Sequence, residues 1–398
     1  LTVPFRDNYV LIPDWQVAFL YASLSVATII ALYLLYRRFR VYGIRQTWAG
    51  LKSAIRANLG TLAKGGLLQR KVAQRAQGGA IHMLIFYGAI ALFIGTVLVF
   101  FDADLLKPFG VKILQGDFYL YYKLILDIFG VLFIGGILYA LVRRVGLKPS
   151  YLHSTRGDYV ILLGLLYMGA TGFILEAIRL ALTQVPWAGW SVVGFPLSQA
   201  FSTSTSDPQL YEEVYRTIWL SHSLVAFAIV ASIPYSTLYH VPASAVNMLV
   251  APKKPLGRME MPFSLQKMME EGNFDVKVGI ERAEDISWSR RVMLDSCTNC
   301  GRCEAVCPAH AAGRPLSPRK LVQDVDGFML AHWMKEGGPT AFEASAVSDE
   351  ELWACTSCNA CVYECPVYIN QLDFIADFRR AIVTANRLDD YKNRLLLN

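Results

Sequence analysis

Five apolar stretches, Trp15–Tyr36, Ala80–Phe101, Phe118–Leu141, Asp158–Ala181 and Thr217–His240, lie within the first 250 residues of this 398-residue chain. Each exceeds the roughly 20 residues that a helix rising 1.5 Å per residue needs to cross about 30 Å of hydrocarbon. Lipid offers the backbone no hydrogen-bond partner, so stretches of this kind fold as helices. The alternative, five buried core helices of a large soluble protein, is separated from this one by where the charges lie.

The segment from Arg37 to Arg75 carries ten Lys and Arg and no Asp or Glu. The next segment on that side holds Arg143, Arg144, Lys148 and Arg156. On the opposite side, residues 102–117 set two lysines against three aspartates, and 182–216 is nearly free of basic residues. Basic loops stay on the cytoplasmic side, which puts the N-terminus outside and the last 150 residues inside a cytoplasmic (inner) membrane. The net charge of +6 therefore reports topology. No Lys/Arg patch interleaved with aromatics forms a nucleic-acid groove, so no nucleic-acid partner is expected. The opening LTVPFRDNYVLIPDW begins at Leu1 and lacks a basic n-region and a small-residue cleavage site, so it does not read as a signal peptide.

All eight cysteines fall between Cys297 and Cys365, in two runs of C-x2-C-x2-C-x3-C-P. The first is Cys297, Cys300, Cys303 and Cys307 before Pro308; the second is Cys355, Cys358, Cys361 and Cys365 before Pro366. Three thiolates at intervals of three wrap one corner of an iron–sulfur cubane, and the fourth ligates the other cluster. This assigns Cys297, Cys300, Cys303 and Cys365 to one [4Fe–4S] cluster, and Cys355, Cys358, Cys361 and Cys307 to a second. Structural zinc sites prefer paired knuckles across a longer loop, which these runs do not match. The 47 residues between Cys307 and Cys355 exceed a minimal ferredoxin, and 321–335 within them reads as helix.

Three histidines fall inside the spans. His222 and His240 are eighteen residues apart, five whole turns on a continuous helix, which would place them on one face about 27 Å apart. His82 starts the second span at the depth of His240. Two imidazoles facing each other across helices are what a six-coordinate haem b requires, so His82 and His240 are the expected ligands. His222 has no histidine at its depth. It is a polar residue hydrogen-bonded between helices, a ligand of a second haem b with an unusual partner, or part of a quinone pocket. His153, His310 and His332 read as solvated loop residues.

Asp127, Glu176 and Arg179 lie in the outer half of the bundle. Ionisable groups in a bilayer mark proton or substrate paths, which makes these three a candidate quinone site. Glu176 and Arg179, one turn apart, equally read as a structural ion pair.

The His222/His240 spacing with His82 resembles the gamma subunit of respiratory nitrate reductase and its relatives in heterodisulfide-reductase-type complexes. That resemblance implies an inner and an outer haem between the second and fifth spans. The sequence has Leu92 where the family places a further histidine, which leaves the outer haem open. The stretches GRPLSPRK (Gly313 to Lys320), Cys365-Pro-Val-Tyr-Ile and Asp377-Phe-Arg-Arg380 resemble the membrane-bound electron-transfer-flavoprotein:menaquinone oxidoreductases, which fuse such a haem domain to a two-cluster domain. Those proteins continue into Cys-Cys-Gly (CCG) modules. None occurs before Asn398, so either the sequence is truncated or a CCG-module iron–sulfur subunit is a partner.

The expected fold is mainly α: a five-span transmembrane bundle, nitrate reductase gamma-like, over residues 1–245; a linker with an amphipathic helix over 246–290; and an α-rich two-cluster ferredoxin-like domain over 291–398. The expected function is electron transfer from a soluble donor such as electron-transfer flavoprotein, through two [4Fe–4S] clusters and haem b, to menaquinone. Two alternatives stand beside it. One is the membrane subunit of a heterodisulfide- or sulfite-reductase-type complex, and the other is a wiring or anchor subunit without quinone chemistry.

Overall fold

The computed structural model describes residues 3–9, 11–202, 208–251, 254–259, 264–272, 278–334, 342 and 347–388. Its longer helices, in chain order, are α1 (Asp14–Arg40), α2 (Ile44–Thr61), α3 (Ala76–Phe100), α4 (Gly116–Val142), α5 (Arg156–Thr183), α6 (Gly194–Ser202), α7 (Pro208–Ser232), α8 (His240–Val250), α9 (Trp288–Asp295), α10 (Pro318–Met334) and α11 (Gln371–Thr384). The described residues contain no strand, only an isolated bridge between Phe5 and Gln115.

Residues pack into two units. The first comprises Leu1–Leu34, Val72–Pro149 and Ser154–Ser236. Among the described residues five helices are long and apolar enough to cross a membrane: Asp14–Arg40, Ala76–Leu105, Gly116–Leu147, Arg156–Thr183 and Pro208–Tyr235. In the first unit α3 packs on α4, α4 on α5, and α5 on α6 and α7. Glycines set the closest approach: a Cβ on Gly88 would stand 2.7 Å from the Phe133 Cβ, and one on Gly136 would stand 2.8 Å from the Leu84 Cβ. Helices that gain little from burying apolar groups in lipid associate through such small-residue contacts. The outward faces remain apolar, with Ile29, Phe93 and Val160 each 67% exposed, a surface that suits lipid and not water. The fourth span starts where Thr155 and Asp158 form a reciprocal capping box.

The fifth span differs from the sequence reading. The helix does not run from Thr217 to His240 but from Pro208, and it gives way to 3-10 turns at Ile233–Tyr235 and Thr237–Tyr239. Pro234 is the physical cause, since it has no N–H to donate and its ring crowds the carbonyl one turn back. His240 consequently opens a separate helix, α8, and the five-turn register with His222 does not hold.

The second unit comprises Leu35–Lys71, Ser150–His153 and Thr237–Asn398, so two segments between spans belong with the cysteine-bearing chain instead of following the linear division at 245. The helix expected over 321–335 is α10; Lys335 lies outside the described residues. Within the expected linker, Leu265–Glu271 is a short helix, and 252–253, 260–263 and 273–277 lie outside the described residues. The core gathers Leu321, Val325 and Met329 from α10 with Phe374, Ile375, Phe378 and Ile382 from α11, both at the 3.6-residue period of a buried helix face. Val41, Tyr42 and Met248 close the same core from α2's approach and from α8.

Candidate metal centre

The two cysteine runs adopt one backbone pattern. Asn299 and Gly301 in the first, and Ser357 and Asn359 in the second, all have positive φ, at 51°, 74°, 58° and 63°. These left-handed steps curl each loop so that successive cysteines turn inward, and Asn and Gly are the residues that tolerate them best. Short helices follow (Arg302–Ala305 and Ala360–Glu364), and each run ends on a cysteine before proline in extended backbone, Cys307 with ψ 117° and Cys365 with ψ 116°.

The fourth cysteine of each run crosses to the other. One hollow is lined by Cys297, Cys300, Cys303 and Cys365, with Arg302, Arg319 and Gln371 among the other walls. A second is lined by Cys307, Cys355, Cys358 and Cys361 with apolar and neutral neighbours such as Leu316, Pro318 and Ile375. All eight are free thiols. Among the described residues no three His, Cys, Asp or Glu are arranged around a single metal ion. The cysteines ring a space, as ligands of a polynuclear group must.

Electrostatics report the same two sets. Burial, with the nearby Cys365 and Cys300, pushes the Cys297 thiol up to about 12. Burial and then Cys355, Cys307 and Cys358 push Cys361 up to about 12. Cys365 rises to about 11, chiefly through burial. Cys303 is raised too, by burial and by Cys365, Cys297 and Cys300, and more weakly by Cys361 of the other set, so the two hollows are near neighbours. Four thiolates held this close out of water repel one another unless a cation lies between them. The donor set therefore fits an iron core. Hydrogen bonds reach the sulfurs from Ile369 N–H to Cys365 Sγ (3.2 Å), from Ser357 N–H to Cys355 Sγ (3.4 Å) and from the Gln323 side chain to Cys297.

Several residues around the first hollow escaped the sequence reading. Lys71 Nζ donates to the carbonyls of Tyr363 and Cys365, both at 3.2 Å, and stands 4.3 Å over the Tyr368 ring. Arg302 donates to the Lys71 carbonyl at 2.9 Å. Buried Glu304 accepts from Ser317 and Arg319; burial alone would raise its pKa, but these two hold it below the usual carboxylate range. His153 and His310 face that carboxylate at 3.4 and 3.7 Å and are exposed, but His310 stands in the short helix Pro308–Ala311 and not in a loop. His332 is no loop residue: it sits in the last turn of α10, 3.2 Å from Glu284 and edge-on to Trp333. Arg319 belongs to the GRPLSPRK stretch, whereas Lys71 carries no signal beyond the basic character of its loop.

Away from the cysteines, His240 Nδ1 donates to the Thr237 carbonyl at 2.5 Å, which places the ring's lone pair on Nε2. His82 is on α3. His222 is hydrogen-bonded between helices: its Nδ1 meets Thr171 Oγ1 at 2.8 Å, and that hydroxyl gives its own proton to the Tyr167 carbonyl at 2.6 Å. In the first unit Glu176 is clamped by Arg179 (2.7 and 2.9 Å), Lys123 (3.3 Å) and Ser191 (3.0 Å). Asp127 accepts from the N–H groups of Val193 (2.8 Å) and Gly194 (3.2 Å) at the start of α6. The three expected residues do come together, with Lys123 as a member that sequence reading missed.

The 4Fe-4S dicluster domain family matches residues 296–369, which span both runs. An EtfAB:quinone oxidoreductase of Syntrophomonas wolfei is 26% identical over 79% of this chain and 47% of its own length. A "Probable membrane-anchored ferredoxin" of Chromohalobacter salexigens is 41% identical over 29% of this chain and 20% of its own. A dihydromethanophenazine:CoB–CoM heterodisulfide reductase subunit of Methanosarcina acetivorans is 28% identical over 46% of this chain and 62% of its own. The chain thus spans less than half the length of the first two relatives. No solved structure matches it. With five apolar helices ahead of paired four-cysteine hollows, the chain is a mainly helical relative of EtfAB:quinone oxidoreductase and heterodisulfide reductase subunits that carries a 4Fe-4S dicluster domain over residues 296–369.

Proposed function

We propose that the chain is a membrane-bound electron relay. It takes electrons from a soluble donor, electron-transfer flavoprotein, and delivers them through two [4Fe–4S] clusters and haem b to menaquinone, with the dicluster domain on the cytoplasmic side of the cytoplasmic membrane. The observation that carries this reading is the pair of four-cysteine hollows, each built from three cysteines of one run and the last of the other. Bound there, the clusters supply one-electron transfer, which lets a two-electron donor be discharged singly. Cys297, Cys300, Cys303 and Cys365 would hold one, and Cys307, Cys355, Cys358 and Cys361 the other.

Haem b rests on side chains taken one at a time. His240 has the tautomer an axial ligand needs, fixed by the Thr237 carbonyl just as metal-bound histidines are held through their other ring nitrogen. His82 is the proposed second ligand. His222 likewise gives its Nδ1 proton to an oxygen, that of Thr171, so its role as a structural residue or as a ligand of an outer haem is decided by the haem count. Glu176, Arg179 and Asp127, now with Lys123, form the proposed quinone and proton site.

The test is a haem and iron count on the purified chain, with reoxidation by a menaquinone analogue. Eight cubane irons, one haem lost in both His82→Ala and His240→Ala, and reoxidation are expected. A chain with irons but inert to the quinone analogue would leave a wiring or anchor subunit. The likeness to heterodisulfide reductase subunits supports a second reading, a thiol–disulfide redox complex. Co-purification with a disulfide-reducing partner in place of a flavoprotein would favour it.

A further inference from the structure

Resting on that relay, we infer that the two cysteine sets have an order: electrons enter at Cys307, Cys355, Cys358 and Cys361 and leave from Cys297, Cys300, Cys303 and Cys365, drawn there by Lys71, Arg302 and Arg319. Each step moves one electron, from a reduced soluble donor to the first set and from the first set to the second. The donor is oxidised, no bond forms or breaks, and no proton is exchanged within the chain.

Access decides the point of entry. Of the eight cysteines Cys358 alone is exposed; Cys307 and Cys365 are buried and the other five are intermediate. A soluble donor in reach of Cys358 has the shortest path to that set.

The other set is closed over by both inter-span segments of the second unit, which makes it the exit. Lys71 donates to the Cys365 carbonyl, Arg302 donates to the Lys71 carbonyl, and the Tyr151 carbonyl lies against Gly301. This set is covered by two inter-span segments of its own unit, whereas the other set presents a cysteine to water.

Charge runs the same way. Arg302 and Arg319 line the exit hollow, and among the described residues no charged side chain lines the entry hollow. Glu304 offsets part of Arg319 through a 3.0 Å pair, and Arg379 reaches the Cys355 carbonyl of the entry set at 2.6 Å. Glu364 offsets part of Lys71, so the margin rests on the two guanidinium groups, Arg302 and Arg319, that line the exit hollow itself. A fixed cation favours the reduced, more negative state of a neighbouring redox group and raises its potential. Water at Cys358 acts in the same sense on the entry set, but it is screening and mobile, whereas Lys71 is held by two carbonyls and a ring.

The experiment is an EPR-monitored redox titration of the full chain as wild type, Lys71→Met and Lys71→Arg, with and without a water-soluble dysprosium chelate as relaxing agent. In Lys71→Met one cluster signal, the one of higher potential, is expected to fall by a tenfold change in its reduced-to-oxidised ratio at fixed potential, about 59 mV for one electron. Lys71→Arg should hold it in place, as a merely structural anchor would not require. The dysprosium chelate should relax the other signal more strongly. The order is overturned if Lys71→Met moves the lower-potential signal, both or neither, or if the Lys71-sensitive signal is the more accessible one. Absence of both signals would overturn the relay as well, so the two failures are told apart.

Discussion

Gly301 stands against Tyr151 with no room for a side chain: a Cβ built there would lie 2.0 Å from the Tyr151 carbonyl oxygen, and the glycine's φ is 74°. Asn359, at the same place in the second run, has φ 63° and keeps its side chain. The first run thus needs glycine for two reasons, backbone and space, whereas the second, with room for a side chain, meets the same left-handed φ with asparagine. Gly301→Ala is expected to lose the cluster of the Cys297 set, halving the iron count, while Asn359→Gly keeps all eight irons. An iron assay on both variants checks it; full iron in Gly301→Ala would show that the loop can move off Tyr151.

The crossing of Cys307 and Cys365 gives a sharper outcome. Cys365→Ser removes a ligand from the hollow of Cys297, Cys300 and Cys303, although it belongs to the other run. The dysprosium-accessible signal should survive this change and the Lys71-sensitive one should be lost or altered. Cys307→Ser should do the reverse. EPR of the two variants would refute the crossing if each serine instead altered the cluster of its own run.

The cysteine partition was legible because covalent spacing decides it locally: three ligands at intervals of three can reach one cubane corner, and a fourth before proline is directed away. The spans were legible because length and lipid leave one solution. Where the reading failed, the determinant was either a single residue weighed too lightly or a partner far away in sequence. Pro234 sits inside an apolar run, and hydropathy carried the expected helix across it to His240. Lys123 reads as an interrupting charge in the third span and finds its meaning only against Glu176 on the fourth. Arg38, which reads as a topology-setting cation, is bound to Asp295 more than 250 residues later. No local pattern announces such a pair, and it draws the 35–71 segment into the cysteine-bearing unit.

Glu176 is held by three donors, two of them cationic: Arg179 and Lys123. Glu176→Gln would leave both cations without their anion in a low-dielectric setting, a loss on the order of 3–5 kcal/mol for breaking a buried pair. The expected outcome is a marked fall in thermal stability in detergent, partly recovered in Lys123→Met/Glu176→Gln. If the single variant melts like wild type but reduces quinone slowly, the carboxylate's work is proton transfer. Unchanged melting and unchanged quinone reduction would remove Glu176 from both roles.

Asp326 on α10 lies buried beside Asp295, which also takes Arg38 and the Tyr42 hydroxyl. Burial first, and then the Asp295 carboxylate, raise its pKa well above the usual carboxylate range, against a smaller pull from Arg38 in the other direction. The folded carboxyl is therefore neutral and hydrogen-bonded to Asp295, while the unfolded one titrates near 3.9. A folded pKa above the unfolded value gives stability that is complete below the unfolded pKa and is lost as pH rises toward the folded one. Asp326→Asn keeps a neutral donor facing Asp295 at every pH. Its melting temperature should exceed that of wild type at about pH 8, with the gap closing toward about pH 4 as the native carboxyl comes to be protonated in both states. A variant destabilised equally at all pH values would mean that Asp326 matters to this core for its packing and not for its proton.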